Sequence, residues 1–156
     1  MSKKAKNRKL IITSDLKNLK LVREFVRERA REFGFTEIEA EKIILAVDEV
    51  CTNSIKHSYQ NKPNGKIKVE IKSRGNKFII VVSYDGLPFD PQKIKIEHPI
   101  QKYKKTGKVK KGKLGMFIIY QFMDEVIYTR KQGKNVVILT KHLRQKDEKN
   151  GSRLHT

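Results

Sequence analysis

The distribution of apolar and polar residues along the chain predicts one long central helix. From Thr36 to Tyr59, apolar residues recur around most of the circumference of a helix, which is typical of a helix buried within a domain. Thr36 can cap the first turn, and Glu39 stands three residues later, where a capping box has its second partner. The pattern therefore predicts a helix around which the other elements pack.

Three polar side chains of this helix stand apart from the apolar pattern. Glu49, Asn53 and His57 follow one another at intervals of four residues, so they lie along one face. Each has an ordinary alternative: a salt bridge for Glu49, a bond to a loop for Asn53, and a fraying helix end for His57. An acid, an amide and an imidazole on a largely apolar helix are costly unless they are satisfied or used.

The rest of the chain predicts a small α+β domain. Alternating or continuous apolar residues predict strands at 9–13, 66–73, 78–83, 124–131 and 135–142. Helical spacing predicts further helices from Ser14 or Asp15 to about Phe33 and over 116–123. This order of elements favours a two-layer α/β sandwich, in which helices cover one face of a mixed, mostly antiparallel sheet. The continuous apolar residues of 78–83 favour a central strand.

The predicted domain is flanked by polar ends and interrupted by one long loop. We expect a flexible basic N-terminus at 1–8, a single domain at 9–143 and a polar tail at 144–156. Residues 92–112 lack periodicity, and seven lysines fall between Lys102 and Lys113. A loop of that length in a small domain indicates a functional lid or disorder.

Composition narrows the classes of function. The 156 residues carry a formal net charge of +19, which permits nucleic acid, acidic proteins or polyphosphate as partners. The charge is spread along the chain, and no nucleic-acid-binding motif or aromatic stacking platform accompanies it, which argues against nucleic acid. The lone Cys51 excludes an internal disulfide and a cysteine zinc site. Together with the absence of an apolar run of membrane-spanning length, this predicts a cytoplasmic protein without a membrane partner.

The polar residues fit a site for Mg²⁺ and a nucleotide. An Asn53 carbonyl oxygen suits Mg²⁺, and Glu49 could orient or deprotonate an attacking hydroxyl. Gly112-Lys113-Leu114-Gly115 offers backbone N–H groups, a helix N-terminus and a cation for phosphates. Asp85, followed by Gly86, could accept a hydrogen bond from a base amino group. The glycine and aspartate motifs have ordinary alternatives: G-x-x-G before a helix is common, and Asp85-Gly86 is also a typical turn sequence.

Three segments together resemble the GHKL ATPase superfamily, and within it the anti-sigma-factor serine/threonine kinases. Residues 45–59 (LAVDEVCTNSIKHSY) resemble the N box, which is the most specific of the three. Residues 86–91 (GLPFDP) resemble the G1 box, and 112–119 (GKLGMFII), continuing into MDEV at 123–126, resemble the G2 box. The resemblance extends from about Leu10 to His142 and implies a Bergerat-type fold.

The resemblance implies roles for these residues. Glu49 would be the catalytic base, Asn53 the Mg²⁺ ligand, and 92–112 the ATP lid. The implied activity is ATP-dependent phosphorylation of a serine or threonine on a small antagonist protein, with Mg²⁺ as cofactor. The kinase would alternate between this antagonist and a sigma factor, and it would be a homodimer. The ATP-contacting residues would be Asn53, His57, Asp85, Gly86, Gly112, Lys113, Leu114 and Gly115.

Two departures from the family pattern keep a second interpretation open. Tyr84 stands where the adenine-recognising Asp of the family falls, and the acid of this chain is one residue later, at Asp85. A shift of one residue in a strand reverses the side-chain direction. Lys113 stands where many relatives have Gly. The alternative is a catalytically weak or inactive binding module of the same fold that regulates a protein partner.

Overall fold

The computed structural model describes residues 8–89 and 111–144, with side chains from Gly115 onward in the second segment. Five strands are present in these ranges: β1 Lys9–Thr13, β2 Lys66–Arg74, β3 Lys77–Tyr84, β4 Glu125–Lys131 and β5 Lys134–His142. The helices are α1 Leu19–Phe33, α2 Glu37–Asn53 and α3 Lys111–Phe122. A 3₁₀ turn at Leu16–Asn18 leads into α1, and a π-helical turn at Ser54–Ser58 follows α2.

The strands form one sheet in the order β1-β2-β3-β5-β4, and every pairing between the described strands is antiparallel. This confirms the predicted α+β sandwich, although no parallel pair occurs among those strands. Alternate residues of β2, β3 and β5 are buried, and α2 packs against both α1 and α3. The predicted central position of β3 is also confirmed.

The capping box predicts the start of α2 correctly. The Thr36 hydroxyl accepts from the Glu39 backbone N–H at 3.2 Å, and the Glu39 carboxylate accepts from the Thr36 N–H at 2.9 Å. Seven residues of this helix are buried, which makes α2 the centre of the helical layer. They are Ala40, Ile43, Ile44, Ala46, Val47, Val50 and Cys51.

The end of α2 differs from the prediction of one regular helix to Tyr59. The helix widens after Asn53, and the Tyr59 N–H donates to the Ser54 carbonyl, five residues earlier, at 2.9 Å. A single π turn of this kind is frequent at functional sites because it redirects the residues that follow it. As a result, His57 does not continue the row of Glu49 and Asn53 in regular helical register.

The start of α3 also differs from the prediction. We expected the helix to begin at Met116, but it begins at Lys111, so Gly112 and Gly115 lie inside it. Each glycine lowers helix propensity by about 1 kcal/mol relative to alanine, which is why the sequence indicates a break there. The end of the predicted lid, residues 111–112, is therefore helical. Residues 92–110 and most of both predicted flexible ends lie outside the described residues.

Candidate functional site

The Glu49 side chain projects from α2 towards α3. A Cβ atom built on Gly115 would lie 3.1 Å from the Glu49 carboxyl carbon and still closer to one carboxylate oxygen. Among the described residues, the Glu49 carboxylate makes no hydrogen bond. Burial raises the pKa of Glu49, and the neighbouring Asp48 adds to this increase, while Lys56 opposes it. Asp48 itself is held at 2.8 Å by Arg23 of α1. Glu49 is thus a half-buried carboxylate that can accept a proton.

Asn53 lies one helical turn after Glu49 and faces the same helix, α3. Its Nδ2 atom donates to the Met116 sulfur at 3.7 Å, a weak hydrogen bond. Within the described ranges its side chain makes no other hydrogen bond, so none of those residues engages the amide oxygen. An oxygen in this position is the kind of ligand that Mg²⁺ prefers.

The loop after β3 packs against the π turn, and we call residues 84–89 the strand-exit loop. Gly86 adopts a left-handed backbone with φ of 88°, and a Cβ atom there would meet the Ser58 carbonyl oxygen at 2.5 Å. The next N–H, from Leu87, donates to that same carbonyl at 2.9 Å. Gly86 is therefore required for this close approach.

The two residues at the end of β3 have opposite environments. Tyr84 is 2% exposed, and its ring lies 6.5 Å from that of Tyr59. Burial raises the pKa of Tyr84, while the nearby Ser58 side chain opposes the increase. Asp85 is turned outward, with its carboxylate 3.1 Å from the Lys134 ammonium and its side chain 55% exposed. This is the reversal that strand geometry predicts for consecutive residues.

Asn135 of β5 organises the strand-exit loop. Its Nδ2 donates to the carbonyls of Asp85 at 3.3 Å and Leu87 at 3.1 Å. Its Oδ1 accepts from the Phe89 N–H at 3.1 Å and from the Arg130 guanidinium at 3.0 Å. The side chain is buried, and its four hydrogen bonds hold the loop against the sheet.

The structure brings some of the predicted site residues together and separates others. Glu49 and Asn53 both face α3 at Gly115 and Met116, and the His57 ring lies 6.3 Å from the Phe89 ring. Asp85 and Gly86 belong to the strand-exit loop. Gly112, Lys113 and Leu114 contribute the first turn of α3, and only their backbone is described.

Sequence reasoning missed Asn135, Tyr59 and Met116. The Tyr59 hydroxyl accepts from the Asp85 N–H at 2.8 Å and donates to the Lys66 carbonyl at 2.5 Å. A buried amide in an otherwise apolar strand was the signal that could have drawn attention to Asn135. Met116 gave no signal, because a methionine on a predicted apolar helix is ordinarily a core residue.

The chemistry of these residues suits a metal ion that is held mainly by phosphate oxygens and water, with few protein ligands. No group of three or more His, Cys, Asp or Glu side chains that could hold a metal occurs in the described segments. Mg²⁺ commonly takes one or two protein ligands and completes its shell with water and phosphate oxygens. A single unengaged amide oxygen at Asn53 fits that pattern. In residues 8–89 and 111–144, no helix has the length and apolar character needed to cross a membrane.

Comparison with known proteins identifies the family. The model of the histidine kinase-like ATPase domain matches residues 12–141, which is most of the chain. The serine-protein kinase RsbW of Listeria innocua is 33% identical over 129 residues, covering 81% of this chain and 82% of that protein. The RsbW protein of Bacillus subtilis is 30% identical over 115 residues, covering 73% of this chain and 71% of its own length.

Solved structures agree on the fold. The crystal structure of the RsbU and RsbW domains of Rv1364c from Mycobacterium tuberculosis matches 88% of this chain with a TM-score of 0.60 at 18% identity. The chain spans 33% of the length of that structure. The Acinetobacter baumannii histidine kinase AdeS matches 88% of this chain and 68% of its own, with a TM-score of 0.50 at 11% identity. The chain belongs to the histidine kinase-like ATPase family, in its branch of RsbW anti-sigma-factor serine kinases.

Proposed function

We propose that this protein binds ATP with Mg²⁺ between α2, the strand-exit loop and the start of α3. It transfers the terminal phosphoryl group to a serine or threonine of a small antagonist protein. The observation that carries the proposal is the Glu49 and Asn53 pair, in which a carboxylate and an amide oxygen that no described residue engages face α3 one helical turn apart. The RsbW relatives are named serine-protein kinases, which supports the same activity.

Each residue has a task in this reaction. The Asn53 oxygen would hold Mg²⁺, which would neutralise phosphate charge. Glu49 accepts the proton of the attacking hydroxyl, the oxygen of that hydroxyl bonds to the γ-phosphorus, and the bond from that phosphorus to the ADP oxygen breaks. A raised pKa brings the basicity of Glu49 closer to neutrality, which suits a general base.

The remaining residues would hold the nucleotide. The first turn of α3, which includes Gly112, Lys113 and Leu114, would present backbone N–H groups to the phosphates, since a helix N-terminus favours anions. Gly115 follows in the next turn and would keep the helix close to the site. His57 would lie near the phosphates or the lid at 92–112. Asp85 and Gly86 would line the side of the site that faces the base.

The proposed biological role is a switch between two protein partners. A homodimer of this chain would sequester a sigma factor in one state and bind the antagonist in the other. Membership in the RsbW branch supports this role. The high positive charge of the chain would favour acidic partner surfaces.

A binding module without catalytic activity is the second candidate. The buried Tyr84 at the end of β3 favours it, because a large side chain there reduces the room for a base. Such a module would hold its protein partner without nucleotide.

Calorimetric titration of ATP with and without Mg²⁺ distinguishes the two candidates. We expect Mg²⁺-dependent binding to wild type, and a loss of at least about tenfold in affinity in Asn53→Ala, since a metal ligand is removed. Asn76→Ala, an exposed amide on the β2–β3 turn, is the control and should bind as wild type does. A folded wild type that binds no ATP would support the binding module.

ADP formation from ATP tests the role of Glu49. Glu49→Ala should retain its affinity for Mg²⁺-ATP and lose about 100-fold or more in ADP formation, the usual effect of removing a general base. Turnover at the wild-type rate in this variant would refute the assignment of Glu49 as the base.

A further inference from the structure

The Asn53 side chain has one hydrogen-bond partner among the described residues, the thioether of Met116. The Asn53 Nδ2 atom donates to the Met116 sulfur at 3.7 Å, and Asn53 is half-buried. Met116 is 1% exposed and belongs to the hydrophobic core, so its position is set by packing. The contact therefore joins the proposed metal ligand of α2 to a buried side chain of α3.

The Met116 sulfur has a second contact with a donor. The Tyr128 hydroxyl of β4 donates to the same sulfur at 3.8 Å. The Tyr128 ring packs against the core and lies 5.3 Å from the Phe89 ring of the strand-exit loop. A thioether accepts weak hydrogen bonds but has no hydrogen to donate. The sulfur is therefore an acceptor-only atom to which both α2 and β4 present donors.

This property of the sulfur selects one of two orientations of the Asn53 amide. An amide carries two donor hydrogens on its nitrogen and two lone pairs on its oxygen. If the amide turned by 180°, Oδ1 would face the sulfur, and two acceptors would meet with no hydrogen between them. With Nδ2 on the sulfur, Oδ1 is turned away from Met116, and none of the described residues engages it. This is the orientation in which the oxygen can serve a cation.

We propose that Met116 is a positioning residue, which holds the Asn53 amide with its oxygen directed to Mg²⁺. The proposal rests on the proposed function, since it concerns the same metal ligand. Groups that hydrogen-bond to a metal ligand fix its orientation, and their loss weakens metal binding. Met116→Leu would keep a similar volume but remove the acceptor, so both amide orientations would become accessible. The apparent affinity would then fall with the fraction of molecules that keep the oxygen in the binding orientation.

Calorimetric titration of ATP with and without Mg²⁺ measures this effect in Met116→Leu. We expect the affinity for Mg²⁺-ATP to fall about threefold to tenfold, since a hydrogen bond to a thioether is weak, while the affinity for ATP without Mg²⁺ stays within about twofold of wild type. Met123→Leu is the matched control, because Met123 directly follows α3, is also buried and makes no hydrogen bond to Asn53. This control should match wild type in both titrations.

Nuclear magnetic resonance of the nucleotide-free protein gives a second readout that requires no binding. In wild type, nuclear Overhauser effects should connect the Asn53 side-chain NH₂ protons with the Met116 methyl group. The NH₂ signals are assigned by their loss in Asn53→Ala. Absence of these effects would show that the amide nitrogen does not face the sulfur, and the inference would be wrong.

The titrations separate failure of this inference from failure of the proposed function. If Met116→Leu bound Mg²⁺-ATP as tightly as wild type, the inference would be overturned and the proposed function left intact. An equal loss of affinity with and without Mg²⁺ would also overturn it, because Met116 would then only support the packing of the site. Absence of ATP binding by wild type would refute the proposed function, and the inference with it.

Discussion

Among individual residues, the charged Glu49 carboxylate lowers the free energy of unfolding, and the same carboxylate is the proposed catalytic base. Partial burial and the nearby Asp48 raise the pKa of Glu49 in the folded protein above its unfolded value. The folded state therefore binds the proton more tightly than the unfolded chain does. As the pH rises through this interval, the charged carboxylate forms at a cost to the folded state, and the free energy of unfolding falls. Functional sites often carry such a local cost.

Glu49→Gln should remove this cost. Below the ordinary carboxyl pKa both side chains are neutral, so the variant and wild type should have similar stability. Above the raised pKa the variant should be the more stable, so its advantage should grow as the pH rises from the ordinary carboxyl pKa through the raised one. Urea unfolding at several pH values measures the difference. Glu24→Gln is the control for the substitution itself, because Glu24 is exposed and has no partner among the described residues. The advantage should grow more for Glu49→Gln than for this control.

Asn135 has the opposite role, since it contributes stability to the loop. Asn135→Ala removes four hydrogen bonds and leaves several partly buried backbone groups without partners. We expect a loss of about 2–4 kcal/mol in the free energy of unfolding, a few times the net value of a single hydrogen bond. Chemical denaturation measures it, and Asn76→Ala, which removes one long surface bond at 3.4 Å, should cost under about 1 kcal/mol. If Asn135→Ala also cost less than about 1 kcal/mol, the proposal that Asn135 holds the strand-exit loop in place would be wrong.

At the scale of elements, Gly115 of α3 lies directly against the Glu49 carboxylate of α2. The Glu49 carboxylate occupies the space that a side chain at this position would need. Glycine inside a helix costs about 1 kcal/mol relative to alanine, so α3 is locally less stable at Gly115 than it would be with alanine. The glycine permits close packing of two helices with a carboxylate between them.

Gly115→Ala separates these two effects. In wild type, the new methyl group displaces the Glu49 carboxylate, which is the far end of a flexible side chain, and the cost of this displacement should offset part of the gain of about 1 kcal/mol in helix propensity. In a Glu49→Ala background nothing has to move, and the same substitution should stabilise the protein by up to about 1 kcal/mol. A double-mutant cycle by chemical denaturation measures the difference between the two backgrounds. Equal effects in both backgrounds would show that the two residues do not constrain each other.

For the whole molecule, charge is the dominant feature. With a formal charge of +19, lysines and arginines repel one another over the surface of a small domain. Many of the ion pairs in the described segments involve exposed side chains, such as Arg31 with Glu37 at 2.8 Å, and such pairs contribute little. Net repulsion should therefore exceed the attraction between surface pairs.

Salt should consequently stabilise the protein. Raising NaCl from about 50 mM to about 500 mM shortens the screening length to a few ångströms and weakens the long-range repulsion more than the contact pairs. We expect a higher Tm at the higher salt concentration, measured by circular dichroism. Asn53→Ala should show the same increase, because the effect belongs to the whole surface. A lower Tm at high salt would show that ion pairs outweigh repulsion.

Local sequence was sufficient for most of the fold. The strands at β1 to β5, the start of α2 and the end of α1 at Gly34 follow from side-chain periodicity, a capping box and a left-handed glycine. These signals depend only on residues that are close in sequence, so they can be recognised without knowing the tertiary contacts. The spacing of Glu49 and Asn53 likewise placed them on one face, because α2 is regular up to Asn53.

Tertiary contacts decided the remainder. Helix α3 extends through Gly112 and Gly115 against their low helix propensity, and α2 ends in a π turn that the residue pattern does not predict. The direction of Asp85 towards Lys134, and the hold of Asn135 on the strand-exit loop, depend on pairings between residues about 50 positions apart. Periodicity describes which face a residue occupies, whereas which partner it meets depends on how whole elements pack, and packing is settled only when the chain has folded.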